Sequence, residues 1–176
     1  MTVRRKMIRS LAKKVLMEHG VKDAPVPVER VAKAMGIVVE RAEADDDISG
    51  FLYRGASAKP VIGVNGKHPF NRQTFTIAHE LGHHLLHSTD DVHVDRKFRV
   101  ILRNRESSEG TSVEEKEANL FAAEILMPAE FLEADLDAVD AVDLVEEGLI
   151  TKLAQRYGVS AQAMTFRLAY LGYVQL

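Results

Sequence analysis

Cysteine is absent from the 176 residues, and that one absence removes several chemistries. A disulfide framework, a thiolate metal site and a cysteine nucleophile are all excluded, so any metal ion must be held by His, Asp or Glu. Long hydrophobic runs are missing too. The basic stretch MTVRRKMIRSLAKKVLMEHG interrupts its apolar residues with Lys and Arg, unlike the continuous apolar segment of a signal peptide. No run approaches the roughly 20 apolar residues of a membrane-spanning helix, so no membrane partner is expected and the expected compartment is the cytoplasm. Net charge is small as well: 23 Lys and Arg against 26 Asp and Glu leave −3, which gives no global reason to expect nucleic acid. Repeats, low-complexity tracts and linkers are not found. What remains is 46% hydrophobic and 28% charged, the composition of a globular domain. One domain over residues 1–176 is expected, large enough to build a core without a metal staple. A metal ion is then free to serve function.

The spacing of Met7, Ile8, Leu11, Val15 and Leu16 predicts a helix over 3–19, stopped by Gly20 and packed on the core by one face. A short helix is expected from Val28 to Met35, closed by Gly36. Strands follow at 37–39, 50–54 and 61–65, with the acidic stretch from Glu43 to Asp47 as a solvated loop. From Pro69 the pattern turns helical: Asn71 reads as the N-cap, Phe70 and Phe75 occupy the positions of a hydrophobic staple, and the helix should run to about His87. A candidate strand lies at Lys97 to Leu102, and the next helix should end near Met127 because Pro128 cannot continue it. Three more helices are expected at about 129–137, 149–157 and 160–171. The fold class is therefore α+β: a small twisted sheet packed on the helix around residue 79, a second helix behind it, and a helical C-terminal tail over about 149–176.

The informative segment is HELGH at 79–83. With about 3.6 residues per turn, His79 and His83 leave the same helix face and both imidazoles can reach one ion. Glu80 sits about 100° around from His79, where a general base for the attacking water belongs. Gly82 inside the helix costs about 1 kcal/mol against alanine, which suggests a close packing approach. His87 either lines the site or meets the last helix carbonyls.

A catalytic zinc takes three protein ligands and keeps an open position, so a third donor must come from elsewhere. The segment SVEEKEANLFAAEILMP, 112–128, offers three glutamates. Ala118, Phe121, Ala122 and Ile125 form its apolar stripe, and Glu117 lies farther from the centre of that stripe than Glu114 or Glu115. Spacing leaves both of the latter open, since each also fits a capping box with Thr111 or Ser112 as the cap. Glu115 is the favoured choice, and Asn119, one turn on, could orient a ligating histidine.

HELGHHLLH followed by EEKEANLFAAEILMP, together with the lead-in FTIAHELGH and the tail LAQRYGVSAQAMTFRL, resembles the ImmA/IrrE family of metallopeptidases. The resemblance covers the chain from about Pro27 onward. It implies a gluzincin-like core with His79 and His83 as ligands, the glutamate matching Glu115 as the third, and Glu80 as catalytic base. It further implies zinc, with manganese or another first-row ion also suited to such donors, and a protein substrate: a helix-turn-helix repressor cleaved in a stress response that regulates transcription. The oxyanion partner is left open among Tyr53, His87 and His93.

The tail itself also resembles a helix-turn-helix, with Gly158 in the turn and Ser160 capping the second helix. From 151 to 176 its only charges are Lys152, Arg156 and Arg167, few for neutralising phosphates. Packing or substrate docking is expected in preference to DNA binding. The rival to an enzyme is a metal-site or DNA-binding module that regulates by contact, and Glu80 argues against it, since holding a metal needs the histidines but not that carboxylate.

Overall fold

The structure, a computed structural model, describes residues 2–55, 58–87, 92–96, 112–137 and 147–175. The strand expected at Lys97 to Leu102 lies outside them. In chain order the elements are α1 (Arg5–Glu18), α2 (Val28–Ala34), β1 (Val38–Ala42), β2 (Ile48–Tyr53), β3 (Val61–Asn65), α3 (Phe70–Leu86), β4 (Val92–Arg96), α4 (Val113–Leu126), α5 (Ala129–Asp137), α6 (Glu147–Tyr157) and α7 (Ala161–Leu171). The fold is α+β, with one small mixed sheet among the described residues. No described helix is long and apolar enough to cross a membrane.

The strands lie in the order β1-β3-β2-β4. β1 runs parallel to β3, while β2 is antiparallel to both β3 and β4. Successive side chains of a strand point to opposite faces, so Leu52 and Ile62 are buried while Phe51 and Tyr53 are exposed. The β2–β4 register pairs Phe51 with Val94, Leu52 with His93 and Tyr53 with Val92. His93 is thereby carried to the face that Leu52 shares, and Val92 and Val94 stay on the exposed face with Phe51 and Tyr53.

The start of α3 differs from expectation. Pro69 is the N-cap, with φ −55° and ψ 150°, and its carbonyl accepts from the N–H groups of Arg72 and Gln73 at 2.9 and 3.0 Å. Asn71 therefore lies within the first turn, where its Oδ1 accepts from the Arg72 N–H at 2.8 Å. Phe70 is 72% exposed and forms no staple. The proline ring fixes the backbone that starts the helix, and the sequence pattern had credited the side chain of Asn71 instead.

α3 and α4 pack against each other at Gly82. A Cβ built there would lie 3.1 Å from the Cα and 3.2 Å from the carbonyl oxygen of Ala118, which is the close approach that the glycine predicted. α1 packs on α4 as well, so α4 buries more than its apolar stripe: Glu117, Asn119 and Glu124 are buried along with Ala118, Phe121, Ala122 and Ile125.

Gly158, at φ 65°, turns the chain between α6 and α7, and the Ser160 hydroxyl accepts from the Ala163 N–H at 3.1 Å as the cap of α7. Tyr157, Met164 and Leu168 are buried. Arg167 is buried too: its Nη2 donates to Glu124 at 2.7 Å and its Nε to the Met127 carbonyl at 2.9 Å. One of the three tail cations is thus internal.

Candidate metal centre

α3 is buried from Phe75 to His83, because α4 covers one side of it and the sheet another. His79 and Glu80 are fully buried and His83 nearly so. Spaced by four residues, the two imidazoles meet edge to face, with centroids 4.7 Å apart and their Nε2 atoms 3.1 Å apart. From α4, Glu115 brings Oε2 to 3.4 Å from His79 Nε2 and Oε1 to 3.1 Å from His83 Nε2. From β4, His93 stacks on His83 with centroids 3.9 Å apart and places Nε2 3.3 Å from the same Oε1. Each of the four residues offers one donor atom, and these atoms all lie within 4.8 Å of one another.

The donor chemistry fits a divalent ion. The Asn119 carbonyl oxygen lies 3.1 Å from His79 Nδ1 and accepts its proton, which leaves the Nε2 lone pair of the neutral ring free to face the other donors. Four donors around an ion at about 2.0–2.1 Å stand about 3.3 Å from one another; four contacts within the cluster, shared between the two Glu115 oxygens, run from 3.1 to 3.4 Å, and all the donor atoms lie within 4.8 Å. Lone pairs and a carboxylate that converge in this way repel one another unless a cation lies between them.

The protonation states agree with that set. Burial pushes the His83 imidazole down to about 4, with the neighbouring His79 and His93 adding to the effect. Burial alone would raise the Glu115 carboxyl, but the adjoining His79 and His83 rings outweigh it and hold the group well below the usual carboxylate range. His83 is therefore a neutral imidazole and Glu115 an ionised carboxylate, the forms a metal needs.

The structure brings together His79, His83 and Glu115, the three residues expected from the sequence, and adds His93. Glu80 follows His79 in the same buried turn. Glu114 is exposed. Glu117 stays outside the cluster: the Arg4 guanidinium beside it holds its carboxyl at about 2, and His87 Nε2 lies 3.1 Å away. Of the three candidates for the oxyanion partner, Tyr53 lies on the exposed face of the sheet, His87 is engaged with Glu117, and His93 is in the cluster. Sequence reasoning could not separate them because it sought the strand at 97–102. The alternation Val92, His93, Val94 was the available signal, since it sets the imidazole on the face opposite the two valines. A separate groove of about 550 Å³, lined by Val26, Phe70, Ile77 and Tyr157 among others, contains none of the cluster residues.

A buried helix bearing two histidines one turn apart, a glutamate from a second helix and a small mixed sheet alongside define a metallopeptidase-type metal-site domain. The sequence matches the IrrE N-terminal-like domain, Peptidase_M78, over residues 32–169, and the chain belongs to that family. Among solved structures, a Mycobacterium tuberculosis transcriptional regulator is similar in fold, with a TM-score of 0.62 and 20% identity. The match covers 93% of this chain and 46% of that one, so the chain spans about half the length of that neighbour. No curated protein matches at a significant level.

Proposed function

We propose that the protein is a zinc-dependent endopeptidase of narrow specificity whose substrate is a helix-turn-helix transcriptional repressor. The convergence of buried His79 and His83 and half-buried Glu115 in one cluster, next to Glu80, carries this reading. A bound divalent ion supplies Lewis acidity toward water and toward the scissile carbonyl. The chain's own groups do the rest. Glu80 accepts a proton from the attacking water and delivers it to the leaving nitrogen, so the amide C–N bond breaks as the new C–O bond forms and the leaving group departs as a neutral amine. Its full burial keeps bulk water away from that proton. His93, 22% exposed at its side chain and standing beside Glu115, is placed to hydrogen-bond the substrate carbonyl oxygen as negative charge grows on it.

Zinc suits two imidazoles and a carboxylate, and manganese or another first-row ion shares the donor preference. The repressor substrate rests on the family, and the name of the M. tuberculosis neighbour, a transcriptional regulator, is in keeping with a regulatory setting. Direct DNA binding is disfavoured by the tail: Arg167 is internal, and Arg156 is paired with Asp23 and Asp135. The test incubates the helix-turn-helix proteins encoded beside this gene with wild type and with Glu80→Gln, each supplied with zinc or manganese. One discrete, metal-dependent cut made only by the wild type is the expected result. Unrestricted breakdown of unrelated proteins, or an unchanged regulatory effect with Glu80→Gln, would overturn the proposal.

A further inference from the structure

Behind His83, on the side away from the cluster, a line of buried polar groups runs to the start of α1. His83 Nδ1 lies 3.2 Å from His87 Nδ1, and His87 Nε2 lies 3.1 Å from Glu117 Oε2. Glu117 in turn accepts from Arg4: the backbone N–H and Nε both reach Oε1 at 2.9 Å, and Nη2 bonds Oε2. Arg4 Nη2 also donates to the Leu86 carbonyl at 3.3 Å, and Arg54 Nη1 donates to the carbonyls of His83 and His87. Two guanidinium groups thus fix the C-terminal turn of α3 that carries both histidines. His83, His87 and Glu117 are all buried.

The partners assign the protons along this line. Arg4 has only N–H groups to offer, so Glu117 is the acceptor on that side, and an ionised carboxylate is also an acceptor toward His87. His87 therefore donates Nε2–H to Glu117, which leaves a lone pair on its Nδ1. His83 must then donate Nδ1–H to that lone pair, and its own Nε2 lone pair is presented to the cluster. We propose that Glu117 and His87, anchored by Arg4, form a relay of positioning residues that sets the tautomer of His83 and orients it toward the metal. The reading of the cluster as a metal centre is the premise. His79 receives the same service from the neutral amide of Asn119, whereas His83 has an anion behind it, which raises its basicity as a ligand.

The isosteric variant Glu117→Gln provides the test. Its carbonyl oxygen at the Oε1 position keeps the two 2.9 Å bonds from the Arg4 backbone N–H and Nε, and the NH₂ group then stands at the Oε2 position, beside His87 and in place of the acceptor for Arg4 Nη2. That donor reverses every hydrogen bond in the line, so His83 ends with its proton on Nε2. Three measurements are made at pH 7.5 on full-length protein: the His83 tautomer in metal-free protein from long-range ¹H–¹⁵N NMR, zinc affinity from competition with a chromophoric chelator, and the thermal midpoint. Wild type is expected to show Nδ1–H, and Glu117→Gln to show Nε2–H with zinc bound about 10–100-fold more weakly. Should Glu117→Gln not fold, His87→Phe keeps a ring in place and removes both nitrogens; the expected result is a His83 without a fixed tautomer and a similar loss of affinity. A folded variant with zinc affinity within threefold of wild type overturns the relay. So does weaker binding with the tautomer unchanged, which would mark a packing role alone. Wild type that binds zinc with His83 protonated at Nε2 overturns the relay and leaves the metal centre standing; wild type that shows Nδ1–H and binds no zinc overturns the metal centre, and with it the relay's purpose.

Discussion

The Ser112 hydroxyl accepts from the backbone N–H of Glu115 at 3.1 Å, while the Glu115 carboxylate meets the Nε2 atoms of His79, His83 and His93. Glu115 thus takes the capped position of the helix with its main chain, while its carboxylate, which a capping box would turn back to the Ser112 N–H, joins the cluster, so the main-chain and side-chain roles are distinct. They separate on mutation. Ser112→Ala is expected to cost about 1 kcal/mol of stability through the lost cap and to leave metal content unchanged. Glu115→Gln is expected to keep the helix and lose tight metal binding, with the exposed Glu114→Ala as control. Elemental analysis beside a denaturant titration checks both, and loss of metal from Glu114→Ala would contradict the assignment.

The protein should carry about one divalent ion per chain, since the described residues form one such donor cluster. His79→Ala and His83→Ala should each abolish that retention. Glu80→Gln should keep the ion and lower peptide cleavage by about 10²–10⁴-fold, the scale of a lost general base. Metal loss from Glu80→Gln would show that the carboxylate is a ligand.

His93→Ala should retain the ion and slow cleavage by about 10–100-fold, because one of several contacts to the developing charge is removed. The cobalt-substituted protein reports coordination directly through its visible spectrum. A spectrum that His93→Ala changes as strongly as His79→Ala does would make His93 a fourth ligand and close the position that a catalytic centre leaves open.

Gly82→Ala sets two effects against each other. Overpacking costs about 1–3 kcal/mol, against a helix-propensity gain of about 1 kcal/mol. The crowded neighbour is the backbone of Ala118, which cannot swing aside, so a net loss of about 1 kcal/mol is expected. Zinc affinity should fall with it, since α3 and α4 are pushed apart with their ligands. An unchanged unfolding midpoint would sink the prediction.

Arg167→Ala breaks a buried ion pair and leaves Glu124, among the described residues, with Arg9 at 3.4 Å. Removing one partner of such a pair costs about 3–5 kcal/mol, and the remaining contact places the effect near the lower end. Chemical denaturation measures it. A variant of wild-type stability with weakened DNA binding would instead favour a tail that faces nucleic acid.

Much of the fold could be read in the residues because its punctuation is local. β3 and α5 have the expected bounds, and Pro128 stops α4 as anticipated. The paired histidines and the close approach at Gly82 were also legible, since both follow from helix geometry within one segment. Glu117 and Glu124 were not, because their burial depends on α1 and α7 bringing Arg4, Arg9 and Arg167 to them. His93 was one of three open oxyanion candidates, and its membership of the cluster was not legible for a related reason: the local alternation gives its face, but its place is set by the register of β4 on β2.

The four donors come from α3, β4 and α4, with 35 residues between His79 and Glu115. A growing polypeptide that has emerged only as far as α3 owns two imidazoles and no carboxylate to complete the set, so it can hold an ion only loosely. Metal capture must await synthesis of α4 and its docking at Gly82. Supply of the divalent ion should therefore act on the finished protein, and starvation for it should yield folded, empty molecules that can be charged later without new translation.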